Sequence, residues 1–138
     1  MKKIFSFSIL SFFFSMSLAL ADDDIVINRC TLQAGVDPIP HTIVVSPSIA
    51  YVRYGGDVYF RASAYDTEGK RIEGFEPTSW SATAGLIDEK GWYVANIVGY
   101  HTVTANFDCR VLRSGMEEPL LLHVAGTASV NVGNERPR

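Results

Sequence analysis

An all-β sandwich is the fold that this 138-residue sequence predicts. Three observations carry it. Apolar and polar residues alternate with a period of two over several short stretches, and turn signals recur about every 8–12 residues. Nothing beyond the N-terminal segment shows a helical period over about ten residues. The pattern is densest in WSATAGLIDEKGWYVANIVGYHTVTA, residues 80–105. There Trp80 opens an apolar face, Asp88 and Gly91 close a turn, and Tyr93 and Ala95 alternate. Gly99 breaks the chain before Val103 and Ala105 alternate again, so the stretch predicts two short, half-buried antiparallel strands.

Residues 1–21 are expected to lie outside the fold as a cleaved signal peptide. Lys2 and Lys3 precede an apolar run at residues 4–18 broken only by serines, and Ala19-Leu20-Ala21 supplies a small-x-small cleavage site before Asp22. The competing reading is a membrane anchor, but about 15 apolar residues are short against the ~20 that span a bilayer. No cysteine sits at the cleavage site, which argues against a lipoprotein, and the mature chain carries no second run long enough to span. The protein is therefore expected to be exported, to the periplasm or beyond it as a secreted or surface protein.

About 117 residues then remain, enough for one domain with one core. Without Lys2 and Lys3, 10 basic residues face 15 acidic ones, a net charge of −5. An acidic chain with scattered Lys and Arg lacks the basic footprint of nucleic-acid binding, and that partner class is excluded. Cys30 and Cys109 both lie in the exported part. An even count in an oxidising compartment predicts a structural disulfide. The alternatives are two buried thiols or a redox pair, and no CxxC spacing supports the latter.

Along the mature chain, residues 22–24 read as a solvated acidic leader, and Ile25, Val26 and Ile27 as a short strand running into Cys30. Asp37-Pro38-Ile39-Pro40 is a linker, because two prolines do not share a central strand. Residues 42–45 read as an edge strand ending at Ser46-Pro47. Val58, Phe60, Ala62 and Ala64 then face one way along a strand, and Tyr59, Arg61, Ser63 and Tyr65 the other. Asp66-Thr67-Glu68-Gly69 follows as a turn, since Asp bonds the backbone two residues on and Gly supplies a positive φ. The longest pattern is C-terminal. Val103, Ala105, Phe107, Cys109 and Val111 share a face, residues 114–118 form a polar turn, and Leu120, Leu122, Val124, Ala128, Val130 and Val132 return. Gly126 is a candidate bulge in that return strand. The result is a long hairpin, which the disulfide is expected to tie to the N-terminal strand.

Residues 42–132 resemble the bacterial immunoglobulin-like (BIG) domains. The elements that carry the resemblance are Ser46-Pro47, Gly55-Gly56 before Val58-x-Phe60-x-Ala62, and Tyr65-Asp66-x-x-Gly69. They continue with Trp80, Gly85-Leu86-Ile87-Asp88, Gly91-x-Tyr93-x-Ala95, Gly99, Val103-Thr104-Ala105 and a closing Ala128-x-Val130-x-Val132. The resemblance implies an immunoglobulin-like Greek-key sandwich of about seven strands. It also implies structural roles: Trp80 in the core, Asp66 and Asp88 at turns with Gly69 and Gly91, Tyr93 facing in and Gly99 at a break. It implies no catalysis. The chain departs from the pattern in its extended C-terminal hairpin and in the segment holding Cys30. The organisation expected is a signal at residues 1–21, an N-terminal extension at 22–41, the sandwich at 42–133 and a flexible tail at 134–138.

Catalytic and metal chemistry find little footing. His41, His101 and His123 show no HxH or HExxH spacing, and the acidic run at residues 22–24 lacks a glycine-turn loop to form a calcium cage. No GxSxG elbow surrounds any serine, and Asp88-Glu89 and Glu117-Glu118 read as hydrated turns. No enzyme, metal or cofactor is expected. The outward aromatics are the better lead. If Tyr93 and Ala95 face in, Trp92 faces out. The sandwich implied by the resemblance puts its strand in one sheet with that of Tyr59 and Arg61. Tyr59, Arg61 and Trp92 then form one candidate binding surface, of the composition that dominates binding hot spots. The expected function is a binding module for a protein or a cell-surface glycan. The alternatives are a structural subunit of an assembly, with strands added at the long hairpin, or an inhibitor of a secreted enzyme that inserts the tip at residues 114–118.

Overall fold

The described residues, 30–134 in this computed structural model, contain ten strands and no helix. They are β1 (Thr31–Gln33), β2 (Thr42–Ser46), β3 (Ile49–Arg53), β4 (Asp57–Tyr59) and β5 (Arg61–Tyr65). Then follow β6 (Ser79–Ala82), β7 (Leu86–Ile87), β8 (Trp92–Val94), β9 (Gly99–Leu112) and β10 (Leu120–Gly133). The expected signal segment, the acidic leader, the strand at residues 25–27 and the tail from residue 135 lie outside the described residues. Leu32 to Asn134 belong to one compact unit.

The expected long hairpin is the spine of the molecule. β9 and β10 run antiparallel in unbroken register from Leu120↔Val111 to Val132↔Gly99. The outer edge of β9 is taken by β6 at Ala105 and its neighbours and by β1 further along, while β3 lies parallel to β10 from Ser129 to Gly133. Two smaller sheets complete the fold: β2 with β5, and β4-β8-β7. Only Phe60 separates β4 from β5. A single strand through Val58, Phe60, Ala62 and Ala64, as the alternation predicts, is therefore corrected to two, each with its own partner. The alternation itself survives, because Phe60 and Ala64 are fully buried while Tyr59 and Arg61 are exposed. Period two reports which side faces the core and is silent about which neighbour supplies the hydrogen bonds.

The core is built from the alternating residues. Val103, Ala105, Phe107, Cys109 and Val111 of β9 are buried, and so are Ala128, Val130 and Val132 of β10. Phe60 and Tyr93 fill the other side, with ring centroids 6.2 Å apart in an edge-to-face arrangement. Toward the hairpin tip the enclosure weakens: Leu122 and Val124 are half-buried although their parity turns them inward, and Leu120 is exposed. Gly126 is not a bulge, since the register passes through Gly126↔Ala105 without a slip. Its lack of a side chain serves close approach instead. A Cβ there would collide with the carbonyl of Ile43 and lie 2.9 Å from the Ile43 Cγ2, so β2 crosses directly over this point.

Turn chemistry repeats. Asp66 Oδ1 accepts hydrogen bonds from the N–H groups of Glu68 and Lys70, both at 2.9 Å. Asp88 Oδ1 does the same for Lys90 and Trp92, also at 2.9 Å. Each Asp is followed three residues on by a glycine with positive φ, 81° at Gly69 and 97° at Gly91. The Asp-x-x-Gly spacing is thus one turn used twice, with a carboxylate satisfying two backbone donors. The segment at residues 80–105 holds more strands than its two-strand pattern suggests, because β7 is a two-residue strand too short to show a period.

Cys30 and Cys109 are joined in a disulfide, as expected from their count and compartment. Ser46-Pro47 is a cis peptide at the point where the chain leaves β2 for β3.

Two outcomes follow. Replacing both Cys30 and Cys109 with serine should lower stability in chemical denaturation by up to about 4–5 kcal/mol, the chain-entropy value for a loop of about 80 residues. Gly126→Ala should cost roughly 1–3 kcal/mol by overpacking against the Ile43 backbone, with the loss read as a lower denaturant midpoint at unchanged slope.

Candidate binding site on the aromatic face

β4 and β8 set the site by their register. Antiparallel pairing places Tyr59 directly opposite Trp92, and Val58 opposite Tyr93. Parity then sends Tyr93 into the core, fully buried, and leaves Trp92 48% and Tyr59 42% exposed. The two outward rings meet with centroids 5.6 Å apart and planes tilted by 45°. Arg61 follows on β5, and its guanidinium carbon lies 5.4 Å from the Tyr59 ring centroid, within cation–π range. The three residues singled out by sequence are therefore one contiguous surface.

Trp92 is held at both ends. Its backbone N–H donates to Asp88 Oδ1, and its indole Nε1–H donates to Asp57 Oδ2 at 2.9 Å. The indole's one donor is occupied, so what it offers outward is ring face. The Asp88 carboxyl is held below the usual carboxylate range, chiefly by the Trp92 backbone N–H and next by that of Lys90. In the core beneath, burial pushes the Tyr93 hydroxyl above its ordinary value, and that hydroxyl donates to the carbonyl of Ala84 at 2.9 Å.

A cleft of about 410 Å³ opens beside this patch, and Tyr59 and Arg61 line both. Its more buried wall comprises Phe60, Ala62, Phe75 and Trp80, while Glu76, Glu89 and Lys90 line it from exposed positions. Phe75 is anchored from behind by Phe107, with ring centroids 5.1 Å apart. Trp80 is half-buried rather than enclosed in the core, because one side of it faces this cleft. Gly91 is what lets the wall close. It receives the Phe60 N–H at 2.8 Å, and a Cβ on it would strike the Phe60 carbonyl and press the Trp80 indole at 3.1 Å.

The cleft was not legible beforehand. Phe75, Glu76 and Pro77 sit in the irregular segment before β6, where no period marks which way a side chain points. Glu89 reads only as part of a hydrated turn, and Lys90 carries no signal of its own. The Pro77 and Phe75 pair of apolar residues inside a polar loop was the available signal.

The remaining candidates fall elsewhere. His123 Nδ1 pairs with Asp108 Oδ1 at 2.5 Å on the exposed outer face of the hairpin, and His101 Nε2 meets the Ile97 carbonyl at 2.8 Å. Among the described residues no group of three or more His, Cys, Asp or Glu is arranged to hold a metal ion. No helix among them is long and apolar enough to cross a membrane. No protein-family model matches the chain, and no curated protein matches it.

The Asp88 turn gives a pH expectation with a definite sign. A carboxyl whose pKa is lower folded than unfolded stabilises above the unfolded value, and that contribution is lost as pH falls through the folded one. Stability and the emission of Trp92 should therefore change together below about pH 4, the ordinary Asp range. Asp88→Asn should remove this turn's share of the acid-side slope in denaturation experiments run across that window.

Proposed function

We propose that this chain is an exported, non-catalytic binding module of immunoglobulin-like type that engages a surface glycan through the aromatic patch and its cleft. The observation that carries the reading is the continuity of Tyr59, Arg61 and Trp92 with a cleft of about 410 Å³, a volume suited to a small ligand or the end of a larger one. Exposed ring faces suit the apolar faces of a sugar ring, while Arg61 and Lys90 offer donors and Glu76 and Glu89 acceptors for its hydroxyl groups. The four charges balance, which favours a polar, uncharged ligand over a polyanion. The buried Tyr93 hydroxyl is committed to the Ala84 carbonyl, and no Asp, Glu, His, Lys or Arg side chain among the described residues is buried in the way a tuned acid or base usually is.

The immunoglobulin-like assignment is supported by the pairings. β2 with β5, β4 with β8 and β8 with β7 make one set, and β6 with β9 and β9 with β10 the other. Counting β4 and β5 as one interrupted strand, these are the neighbours of a four-strand and a three-strand sheet in a Greek-key immunoglobulin sandwich. The first strand crosses between sets at Ser46-Pro47, so that β3 lies beside β10. That arrangement agrees with the resemblance to BIG domains. Export is supported by the disulfide, because such bonds persist in oxidising compartments.

The test is binding of the mature protein to an array of bacterial and host glycans, followed by titration of the best ligand. Tyr59→Ala and Trp92→Ala are each expected to weaken that ligand by roughly tenfold or more, the loss typical of an aromatic hot spot. Glu117→Ala, at the distant tip, should leave it unchanged. A ligand that binds both aromatic variants as tightly as the unaltered protein would sink the proposal.

A further inference from the structure

The hydrogen-bonding directions of β9 and β10 leave one edge of the hairpin unpaired among the described residues. On β9 the even-numbered residues point away from β10, and their backbone groups are used. Thr102 O accepts from Thr83 N–H, Asn106 O from Thr78 N–H, and Leu112 O from Ala34 N–H. Asp108 N–H donates to the Thr78 hydroxyl. Register then requires the even residues of β10 to face β9 and the odd ones to face outward. Ser129 obeys, donating its N–H to Ser48 O, where β3 begins its parallel pairing. Below that point no strand among the described residues pairs with the outer side of β10. Leu121, His123, Ala125 and Thr127 therefore present N–H and C=O groups along an unpaired edge.

Natural proteins guard such edges with lysine, proline, bulges or brevity. This one has none of them. LLLHVAGTAS, residues 120–129, holds no Lys, Arg, Asp, Glu or Pro, and its register with β9 is free of bulges. The inward Leu122 and Val124 are only half-buried, and Leu121 is 79% exposed.

We propose that this edge is the homodimer interface of the protein, with β10 of one copy pairing antiparallel to β10 of a second about a two-fold axis at Val124. The geometry favours a second copy over an unrelated strand because the edge is complementary to itself. A two-fold at Val124 sets Leu121 opposite Thr127 and His123 opposite Ala125, so each outward-facing residue meets another outward-facing residue. No like charges come into direct opposition, because His123, paired to its own Asp108, is the sole titratable group on the edge. The pairing also ends where it should. Pro119 has no N–H to extend it, and its place opposite Ser129 is where β3 already sits. The two hairpins become one continuous sheet, and the isologous contact closes at two copies. This surface is separate from the aromatic face, so neither proposal depends on the other.

Sedimentation velocity of the intact, disulfide-bonded mature protein tests it. Monomer should give way to dimer as the concentration rises from micromolar toward millimolar. In the same samples, amide exchange at Leu121, His123, Ala125 and Thr127 should slow by roughly tenfold or more on dimerisation, while Leu122, Val124 and Ala128, bonded to β9, are protected throughout. Ala125→Pro removes an outward N–H without touching the β9 ladder and is expected to remain monomeric with an unchanged β spectrum. A protein still monomeric at millimolar concentration overturns the proposal. So does protection of the four outward amides that does not vary with concentration, or a folded Ala125→Pro variant that still dimerises. The exchange pattern of the unaltered protein decides the matter even if the proline variant fails to fold.

Discussion

The unbroken ladder between β9 and β10 is the constraint on which the rest of the structure depends. Its register passes from Leu120↔Val111 to Val132↔Gly99 without a slip. Slipping β9 by one residue against β10 would turn Val103 and Phe107 to solvent and carry Asp108 inward. The large sheet is built on that ladder. β6 and β1 lie on one edge, β3 on part of the other, and β2 crosses over its inner face where Gly126 leaves room. The missing Cβ at Gly126 is thus as much a packing element as any large side chain.

The aromatic face depends on the ladder at one remove. Trp80 reaches the cleft from β6, which is held on β9, and Phe75 is seated against Phe107 of the same strand. Tyr59 and Trp92 come from the β4-β8-β7 sheet, which meets this region where Gly91 lies against the Trp80 indole. The cleft is therefore lined from three sheets and an irregular segment, while the Tyr59–Trp92 pair at the centre of the patch comes from one ladder. That explains why the patch could be foreseen and the cleft could not.

Much of the fold was legible because burial leaves a periodic trace. The inward face of β9, the two Asp-x-x-Gly turns, the long hairpin and the Cys30–Cys109 disulfide all write local or compositional signals. Pairing does not. The break at Phe60 is invisible, since the residue keeps its inward parity while the strand on either side changes partner. The resemblance to BIG domains implies Trp80 in the core, whereas it is half-buried. Its part-exposure comes from the cleft that it lines with Phe75, Glu76 and Pro77, irregular residues just before it that carry no period. Gly126 read as a bulge because a glycine in a strand has two uses, and only the position of Ile43 tells them apart.

The Asp88 turn separates two kinds of information within four residues. Asp88 and Gly91 are committed to the backbone, one as acceptor for two N–H groups, the other by its positive φ and its contact with Phe60. Glu89 and Lys90 between them carry no such duty: both are exposed, and both border the cleft. Changing these two side chains therefore leaves the turn's backbone hydrogen bonds and its glycine in place. On the binding reading proposed above, ligand preference has a place to vary at almost no cost in folding.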